Sequence, residues 1–482
     1  GESNVGIGVR ALRSNTTGSN NTATGDNALY ANTTGNYNTA IGRYSLYSNT
    51  EGEQNTALGW EALKSNTTAY YNTAIGTQAL SANTIGTYNT ALGRGALLSN
   101  TTAYYNTAIG GKALQANTTG SRNTATGYES LQSNTTGKHN LASGYRALYS
   151  NTEGEGNVGL GYESLKSNTT ADYNTTVGYQ SMQSNTTGHY NAALGKFALK
   201  ANTTGNYNAA FGANALSSNT TAGSNTALGF NTLVTNTTGS YNTATGNGAL
   251  YYNTTGGYNT GVGVSALRLN TTGSNNVAVG NNALDANTTG TNNTASGYRS
   301  LYANTTGNNN TATGSASLVS NTTGNNNTAS GREALHRNTT GNFNTATGRH
   351  SLYSNTEGEY NTGTGYGTLY SNTTGSKNTA IGFNSLFANT EAGNNTALGF
   401  YAGDGITTGN NNVMLGYGTD PSAVDGTNQI VIGYGATGQA DHSVVLGNAN
   451  VTTVYASQDA GATVYAGGLN IGGTAVSATA AE

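Results

Sequence analysis

The chain has 482 residues, of which 70 are Gly, one is Pro, none is Cys and only 8% are charged, and its formal net charge is −3. So few basic residues leave no positive footprint for phosphate groups, so we expect no nucleic-acid binding. The lack of Cys excludes disulfides and thiolate metal sites. No stretch approaches the roughly 18 apolar residues that a transmembrane helix needs, so we expect no membrane span.

A 17-residue repeat begins at Asn4 and runs almost to the end of the chain. Asn recurs at every seventeenth position in 25 consecutive copies up to Asn412, and Gly follows four positions later in all 25. Leu follows eight positions after the Asn in 22 of the first 23 copies, and Met182 takes its place once. Residues 38–54 serve below as the reference coil. A column, such as the Leu46 column, denotes all residues at steps of one repeat from the residue named.

One repeat is too short for two helices and a loop, and its Gly, Asn and Thr content disfavours helix. Residues 39–41 predict a short strand that ends at Gly42, residues 45–48 predict a second short strand, and residues 49–52 predict a turn. The chain is therefore predicted to be an all-β protein, a parallel β-solenoid with one 17-residue repeat per coil. Twenty-four coils spaced by about 4.8 Å would make a rod roughly 115 Å long.

The two Gly columns differ in stringency. Gly42 and its equivalents never vary, which indicates a positive φ or a lack of space for a Cβ atom. In the Gly52 column, Ala takes the place of Gly at five positions, which are Ala69, Ala103, Ala171, Ala222 and Ala392. We therefore interpret the first Gly as a steric necessity and the second as a preference.

The Leu46 column is predicted to be the core, packed with neighbouring Ala residues. The Ile41 column, just before the invariant Gly, is apolar in 16 copies and Thr or Ser in nine. Five of these hydroxyl residues are consecutive, which a fully buried column would rarely accept. We therefore expect this column to be half-exposed or to lie between chains. Because one Leu and two Ala per coil bury little surface, we favour an oligomer.

The Asn38 and Asn49 columns predict ladders of side-chain amides hydrogen-bonded from coil to coil. The Asn49 column also matches the N-glycosylation sequon in most copies, among them Asn15, Asn32 and Asn66. The ladder alone explains the pattern, and glycosylation is the alternative.

No arrangement of catalytic or metal-binding groups stands out. The five His residues fall at unrelated repeat positions, and none has metal-ligand spacing. Glu pairs such as Glu51 and Glu53 would lie on solvated turns. Alternatively, two carboxylates so close could hold a cation or act as an acid–base pair. We predict no enzyme activity, no cofactor and no metal site.

Tyr often precedes the repeat Asn, as at Tyr37, Tyr71 and Tyr105. These residues predict an aromatic stripe along one corner, where they either cover the corner or contact a glycan. The regular Thr columns raise the further possibility of binding to ice or to a polysaccharide crystal face.

The repeat loosens after Gly399. Residues 428–433 read Asn-Gln-Ile-Val-Ile-Gly, and Gly447 follows Gly433 at the fourteenth position, three fewer than in the regular repeat. This spacing and these residues resemble the head repeats of trimeric autotransporter adhesins, in which Asn-Ser-Val-Ala-Ile-Gly recurs at every fourteenth position. The 17-residue repeat looks like the same coil with three residues added, so the resemblance extends at repeat level over residues 1–447. Residues 467–476 and 478–482 look like the segment that precedes the self-cleaving chaperone domain of phage tail fibres.

Both resemblances imply a parallel homotrimer outside the cell, and the adhesins imply a left-handed β-roll. Three regions are expected: a regular shaft (1–402), irregular and 14-residue coils (403–447), and an extension (448–482) that precedes a removed chaperone domain. We expect a structural fibre of the phage tail-fibre type that attaches to a glycan or protein receptor on a host surface. The alternatives are a bacterial adhesin or filament at the cell surface and, more remotely, an ice- or polysaccharide-binding solenoid.

Overall fold

The computed structural model describes residues 1–454, 469–471 and 474–476. In these residues the chain is an all-β parallel solenoid with one three-residue strand per coil and no helix, as predicted. Twenty-seven strands form one continuous sheet.

The strands are Val5–Ile7 (β1), Thr22–Thr24 (β2), Thr39–Ile41 (β3), Thr56–Leu58 (β4), Thr73–Ile75 (β5), Thr90–Leu92 (β6), Thr107–Ile109 (β7), Thr124–Thr126 (β8), Leu141–Ser143 (β9), Val158–Leu160 (β10), Thr175–Val177 (β11), Ala192–Leu194 (β12), Ala209–Phe211 (β13), Thr226–Leu228 (β14), Thr243–Thr245 (β15), Thr260–Val262 (β16), Val277–Val279 (β17), Thr294–Ser296 (β18), Thr311–Thr313 (β19), Thr328–Ser330 (β20), Thr345–Thr347 (β21), Thr362–Thr364 (β22), Thr379–Ile381 (β23), Thr396–Leu398 (β24), Val413–Leu415 (β25), Ile430–Ile432 (β26), Val444–Leu446 (β27), Leu469–Ile471 (β28) and Thr474–Val476 (β29).

Each strand of the large sheet pairs in parallel with the strand of the next coil. In β3 and β4, Ile41 lies opposite Leu58, so identical repeat positions stack on one another. The offset is one full repeat up to β26 and becomes three positions shorter between β26 and β27, where Ile430 lies opposite Val444. At about 4.8 Å per strand, the 27-stranded sheet is about 125 Å long.

The predicted second strand at residues 45–48 is wrong: these residues lie in a turn. The chain bends because Tyr44 and Leu46 both adopt left-handed conformations, with φ of 59° and 48°. An extended strand requires negative φ, so this segment cannot join a β-ladder. It still bonds to the next coil, since Leu46 N–H donates to the Ala62 carbonyl at 2.9 Å and Ser48 N–H donates to the Lys64 carbonyl at 3.0 Å.

The core is the predicted one. Leu46 and Ala40 have no exposed surface, and the same holds for Met182, where the Leu column changes residue. Leu46 faces inward from the turn and Ala40 faces inward from the middle of the strand. The core is therefore a thin column of Leu and Ala that runs along the rod.

Gly42 has both features predicted for the invariant Gly, a positive φ and no space for a Cβ atom. Its φ is 132°, and a Cβ atom would lie 2.5 Å from the Gly59 carbonyl oxygen. A Cβ atom at Gly52 would likewise meet a backbone carbonyl oxygen, that of Ala69, but Gly52 does not have a positive φ, so φ alone separates the two positions. Ala69 occupies the same position in the next coil and is 1% exposed, which agrees with a preference rather than a requirement.

The amide ladders are also present. Asn49 Nδ2 donates to Asn32 Oδ1 at 2.8 Å and to the Gly52 carbonyl at 2.9 Å. Asn38 Nδ2 donates to the same Gly52 carbonyl at 2.7 Å. Asn38 Oδ1 accepts the backbone N–H of Asn55 at 3.0 Å. Each coil thus ties its turn to its strand and to both neighbours, which satisfies amides that would be costly to bury unpaired.

The regular geometry changes at Gly403, which replaces the core Leu. The solenoid nevertheless continues through β25, β26 and β27. The predicted boundaries at 402 and 447 remain predictions, since continuous pairing marks no division there. Of the extension 448–482, the antiparallel pair β28 and β29 is described, and most of the proposed chaperone-like segment lies outside the described residues.

Candidate functional surface

One face of the sheet is lined by two exposed columns. Thr39 and Ile41 flank the buried Ala40, so alternation along the strand directs them outward. Ile41 is 40% exposed and Leu58 is 42% exposed. The large apolar residues exposed in the Ile41 column are Ile7, Ile41, Leu58, Leu92, Ile109, Leu194, Phe211, Leu228, Val262, Val279, Ile381, Leu398 and Ile432. In a single chain this column is therefore an apolar stripe that faces solvent. The sequence predicts that it is either half-exposed or lies between chains, and the single chain has the first of these placements.

Five consecutive coils of this face carry hydroxyl groups instead. They run from β18 to β22, and each three-residue strand carries Thr or Ser at both ends. All of these side chains are exposed except that of Thr362, which is half-buried. Thr313 lies opposite Ser330 in the parallel register, so the hydroxyl groups form two straight rows. This segment is a flat polar interruption of the apolar stripe.

The predicted aromatic stripe exists but is broken into runs. The rings of Tyr71 and Tyr88 stack at 4.9 Å between centroids, and Tyr88 and Tyr105 stack at 5.0 Å. Tyr37 is 60% exposed, and Gln54 separates it from Tyr71 in the column. The stacked rings cover one another's faces, so the run presents ring edges and hydroxyl groups to solvent.

A second aromatic stripe, in the Arg43 column, was missed in the sequence analysis. Tyr145, Tyr162 and Tyr179 stack at 5.2 and 5.1 Å. A further run includes Phe400 and Tyr417, stacked at 5.4 Å. The sequence signal for this second stripe is an aromatic residue directly after the invariant Gly in successive repeats.

The proposed glycosylation sites lie within the amide ladder. Asn32 and Asn66 have no exposed surface, and Asn15 is partly exposed. Asn66 Nδ2 donates to Asn49 Oδ1 at 2.8 Å and to the Ala69 carbonyl at 3.1 Å. A glycan on this nitrogen would require both bonds to break, so glycosylation stays a prediction that the fold opposes at the buried positions.

The carboxylates and His residues are dispersed. Glu53 accepts a hydrogen bond from Asn36 Nδ2 at 2.7 Å, while Glu51 is exposed. His139 lies 3.1 Å from Glu155, and His350 lies 2.7 Å from Glu333. Among the described residues, no group of three or more His, Asp and Glu side chains could hold a metal ion.

Glu129 and Asp404 show the two opposite directions in which the pKa values of acidic groups are shifted. Glu129 is desolvated, which raises its pKa, but hydrogen bonds from Arg146 at 2.7 Å and Lys112 at 3.2 Å outweigh burial and lower it overall. Burial and the nearby charge of Asp420 raise the pKa of Asp404 to about 6. The two Asp residues lie where the repeat becomes irregular, and Asp420 also accepts the Gly405 N–H at 3.1 Å.

Comparison with known proteins found no matching family model and no matching curated protein. Within the residues described, no helix has the length and apolar character needed to cross a membrane.

Proposed function

We propose that the chain is the shaft of a non-enzymatic, extracellular, homotrimeric fibre of the phage tail-fibre type, which holds its ends apart and attaches to a host surface. A bacterial surface adhesin or filament is the alternative, with the same physical role. The resemblance of residues 428–447 to adhesin heads adds the expectation of three left-handed β-rolls in parallel.

The observation that carries this proposal is the exposed apolar stripe of the Ile41 column. Ile, Leu, Val and Phe side chains face solvent over most of the rod on a flat sheet face. The column is interrupted by Thr and Ser in nine coils, but the apolar runs between them are long, and exposed apolar patches of this kind mark association surfaces. Because every coil presents the same face, parallel packing of identical chains would cover it along its whole length.

The test is the solution mass by light scattering. A trimer would have a mass of about 147 kDa, three times the chain mass of 48.9 kDa. The double variant Leu58→Asp, Leu92→Asp places charges in the stripe and should shift the mass towards that of one chain. Thr68→Glu is the matched control, because Glu51 occupies the same column in another coil. A native chain that is monomeric at micromolar concentration would contradict the trimer.

Attachment would use the aromatic stripes. Tyr71, Tyr88 and Tyr105 repeat one ring per coil, so a glycan chain lying along the rod could make several weak contacts at once. Repeated weak sites give strong avidity without a deep pocket. A cell-surface glycan is therefore the ligand class we propose, and a protein receptor is the alternative.

One observation favours a second candidate, an ice- or polysaccharide-binding solenoid. The ten hydroxyl groups of β18–β22 form two straight rows on a flat sheet, and nine of the ten residues that carry them are exposed. Regular rows suit a crystalline surface, and they would be available only if this face is not covered by other chains. A monomeric mass would move this candidate to the front, and measurement of thermal hysteresis and of cellulose or chitin binding would then test it.

A further inference from the structure

A notch interrupts the rod surface at residues 298–336. It is an open cavity of about 440 Å³, and the side chains that form its walls and floor are Tyr298, Arg299, Tyr302, Ala316, Val319 and His336. Its volume falls within the roughly 300–1,000 Å³ range of ligand pockets. It lies on the turn side of the coil, away from the Tyr37 column, so it is separate from the Tyr71–Tyr105 platform.

The notch arises because the middle of three coils has small side chains. The coil below contributes Tyr298, Arg299 and Tyr302, and in the middle coil the same columns hold Ser315, Ala316 and Val319. His336 belongs to the coil above. Neighbouring coils are about 4.8 Å apart, so the backbones of the lower and upper coils are about 10 Å apart. The space between their side chains is smaller, which limits an occupant to about one sugar ring.

The walls combine one cation with aromatic rings. The Arg299 guanidinium lies 4.4 Å from the centroid of the Tyr302 ring. No carboxylate in the described part of the chain lies within 4.0 Å of Arg299, whereas Arg268, in the coil two below, binds Asp285 at 2.8 Å. The positive charge of Arg299 is thus held in place by an aromatic ring and left without an anion.

His336 supplies a neutral polar wall. Its ring stacks on Tyr353 at 4.9 Å, and burial lowers its pKa below the ordinary value. Near neutral pH the imidazole is therefore uncharged. Its Nδ1 is buried without a hydrogen-bond partner among the residues described, so a bond from this ring to a ligand falls to Nε2. Ser320, also at the cavity wall, adds a hydroxyl group.

We propose that the notch binds a single carboxylate-bearing sugar residue, such as a uronic or sialic acid, at the surface of the fibre. Arg299 would bind the carboxylate with charge-assisted hydrogen bonds. Tyr298 and Tyr302 would contact the apolar face of the sugar ring, and Ser320 and His336 would bond its hydroxyl groups. This site rests on the proposed glycan attachment and adds a charged specificity that the stacked Tyr71, Tyr88 and Tyr105 rings do not supply.

The experiment is ligand-observed NMR with the full chain, using methyl glucuronide and sialic acid as acidic probes and methyl glucoside as the neutral probe. We expect saturation transfer to both acidic probes and at least tenfold weaker signals for the neutral one. Arg299→Gln should weaken binding of the acidic probes by tenfold or more. Arg10→Gln makes the same change in the same column far from the notch and should have no effect.

A second variant fills the notch without changing its charge. Ala316→Gln is compatible with the fold, because Gln78 and Gln180 occupy the same column with the same left-handed φ. It should abolish binding of the acidic probes while circular dichroism stays unchanged. Binding that survives both variants, or that is equal for the neutral probe, would overturn the proposal. An acidic peptide bound in place of the sugars, and lost in Arg299→Gln, would equally overturn the assignment to carbohydrate.

Failure here and failure of the fibre proposal are distinguishable. The mass measurement reports on the Ile41 column alone, and Tyr88→Ala reports on the aromatic platform. A trimer that binds neutral glycans through Tyr88 but no acidic sugar would reject the notch and keep the fibre.

Discussion

At the scale of single residues, two glycines of one coil tolerate a side chain very differently. Gly42→Ala should destabilise its coil by about 1–3 kcal/mol or more, because the left-handed φ and the Gly59 carbonyl both oppose a Cβ atom. Gly52→Ala should cost less than Gly42→Ala, because Gly52 lacks a positive φ and Ala69 shows that the coils can shift enough to hold a Cβ atom in that column. Hydrogen exchange of the amides in residues 38–59 measures both. Equal protection in the two variants would contradict the distinction.

Asp404 gives the C-terminal coils a pH dependence. Its pKa is raised to about 6 by burial and by Asp420, so the ionised form destabilises the folded state. Stability of this segment should be greatest below the ordinary pKa of 3.8, fall as the pH rises towards 6, and level off above it.

Asp404→Asn removes one of the two carboxyl groups whose pKa is raised, the other being that of Asp420, and should make the segment more stable than the native chain at pH 8. The two proteins should differ least near pH 4. Hydrogen exchange of residues 403–421 between pH 4 and 8, corrected for the intrinsic exchange rate, is the measurement. An unchanged slope in the variant would show that another group titrates.

At the scale of one element, the turn between strands holds the core. Leu46→Ala should destabilise the surrounding coils by about 2–5 kcal/mol, because a fully buried side chain would leave a cavity in a core only one Leu wide. Leu46→Met is the matched control and should cost less than about 1.5 kcal/mol, since Met182 fills this column in another coil. Urea unfolding followed by circular dichroism compares the two.

The strand could be predicted from the sequence and the turn could not. Residues 39–41 end at an invariant Gly and alternate outward and inward, which is a direct signal for a strand. Residues 44–48 carry Tyr, Leu and Ser, none of which favours a left-handed conformation, so nothing local marks Leu46 as a turn residue. Contacts with both neighbouring coils hold it there, and these exist only once the solenoid has formed.

The candidate sites divide in the same way. The stripe of Tyr71, Tyr88 and Tyr105 was predictable because one residue type returns at one column. The notch was not, because it depends on the small size of Ser315 and Ala316 combined with large neighbours in two other coils. A cavity that forms because two side chains are small leaves no recognisable motif in the sequence.

At the scale of the whole molecule, the coil is the unit of construction. Deletion of residues 89–105 removes one full period and joins Tyr88 to Asn106, so every ladder closes again in register. We expect this variant to keep its circular dichroism spectrum and to melt within a few degrees of the native chain. Deletion of residues 89–94 should instead unfold the adjacent coils, because it takes the Leu column out of line. Similar melting of both variants would contradict a fixed repeat register.

The ladders that join the coils also decide how the rod would respond to force. Their hydrogen bonds run from coil to coil, along the length of the rod, so tension at the ends loads the terminal coil first. A coil that opens releases one repeat, which is about 60 Å long when extended. The same coil takes up only about 4.8 Å of the rod when it is folded. Under a steady pull the shaft would lengthen in equal steps of about 55 Å, one coil at a time. Each coil that opens would dissipate part of the load, and the remaining coils would stay folded.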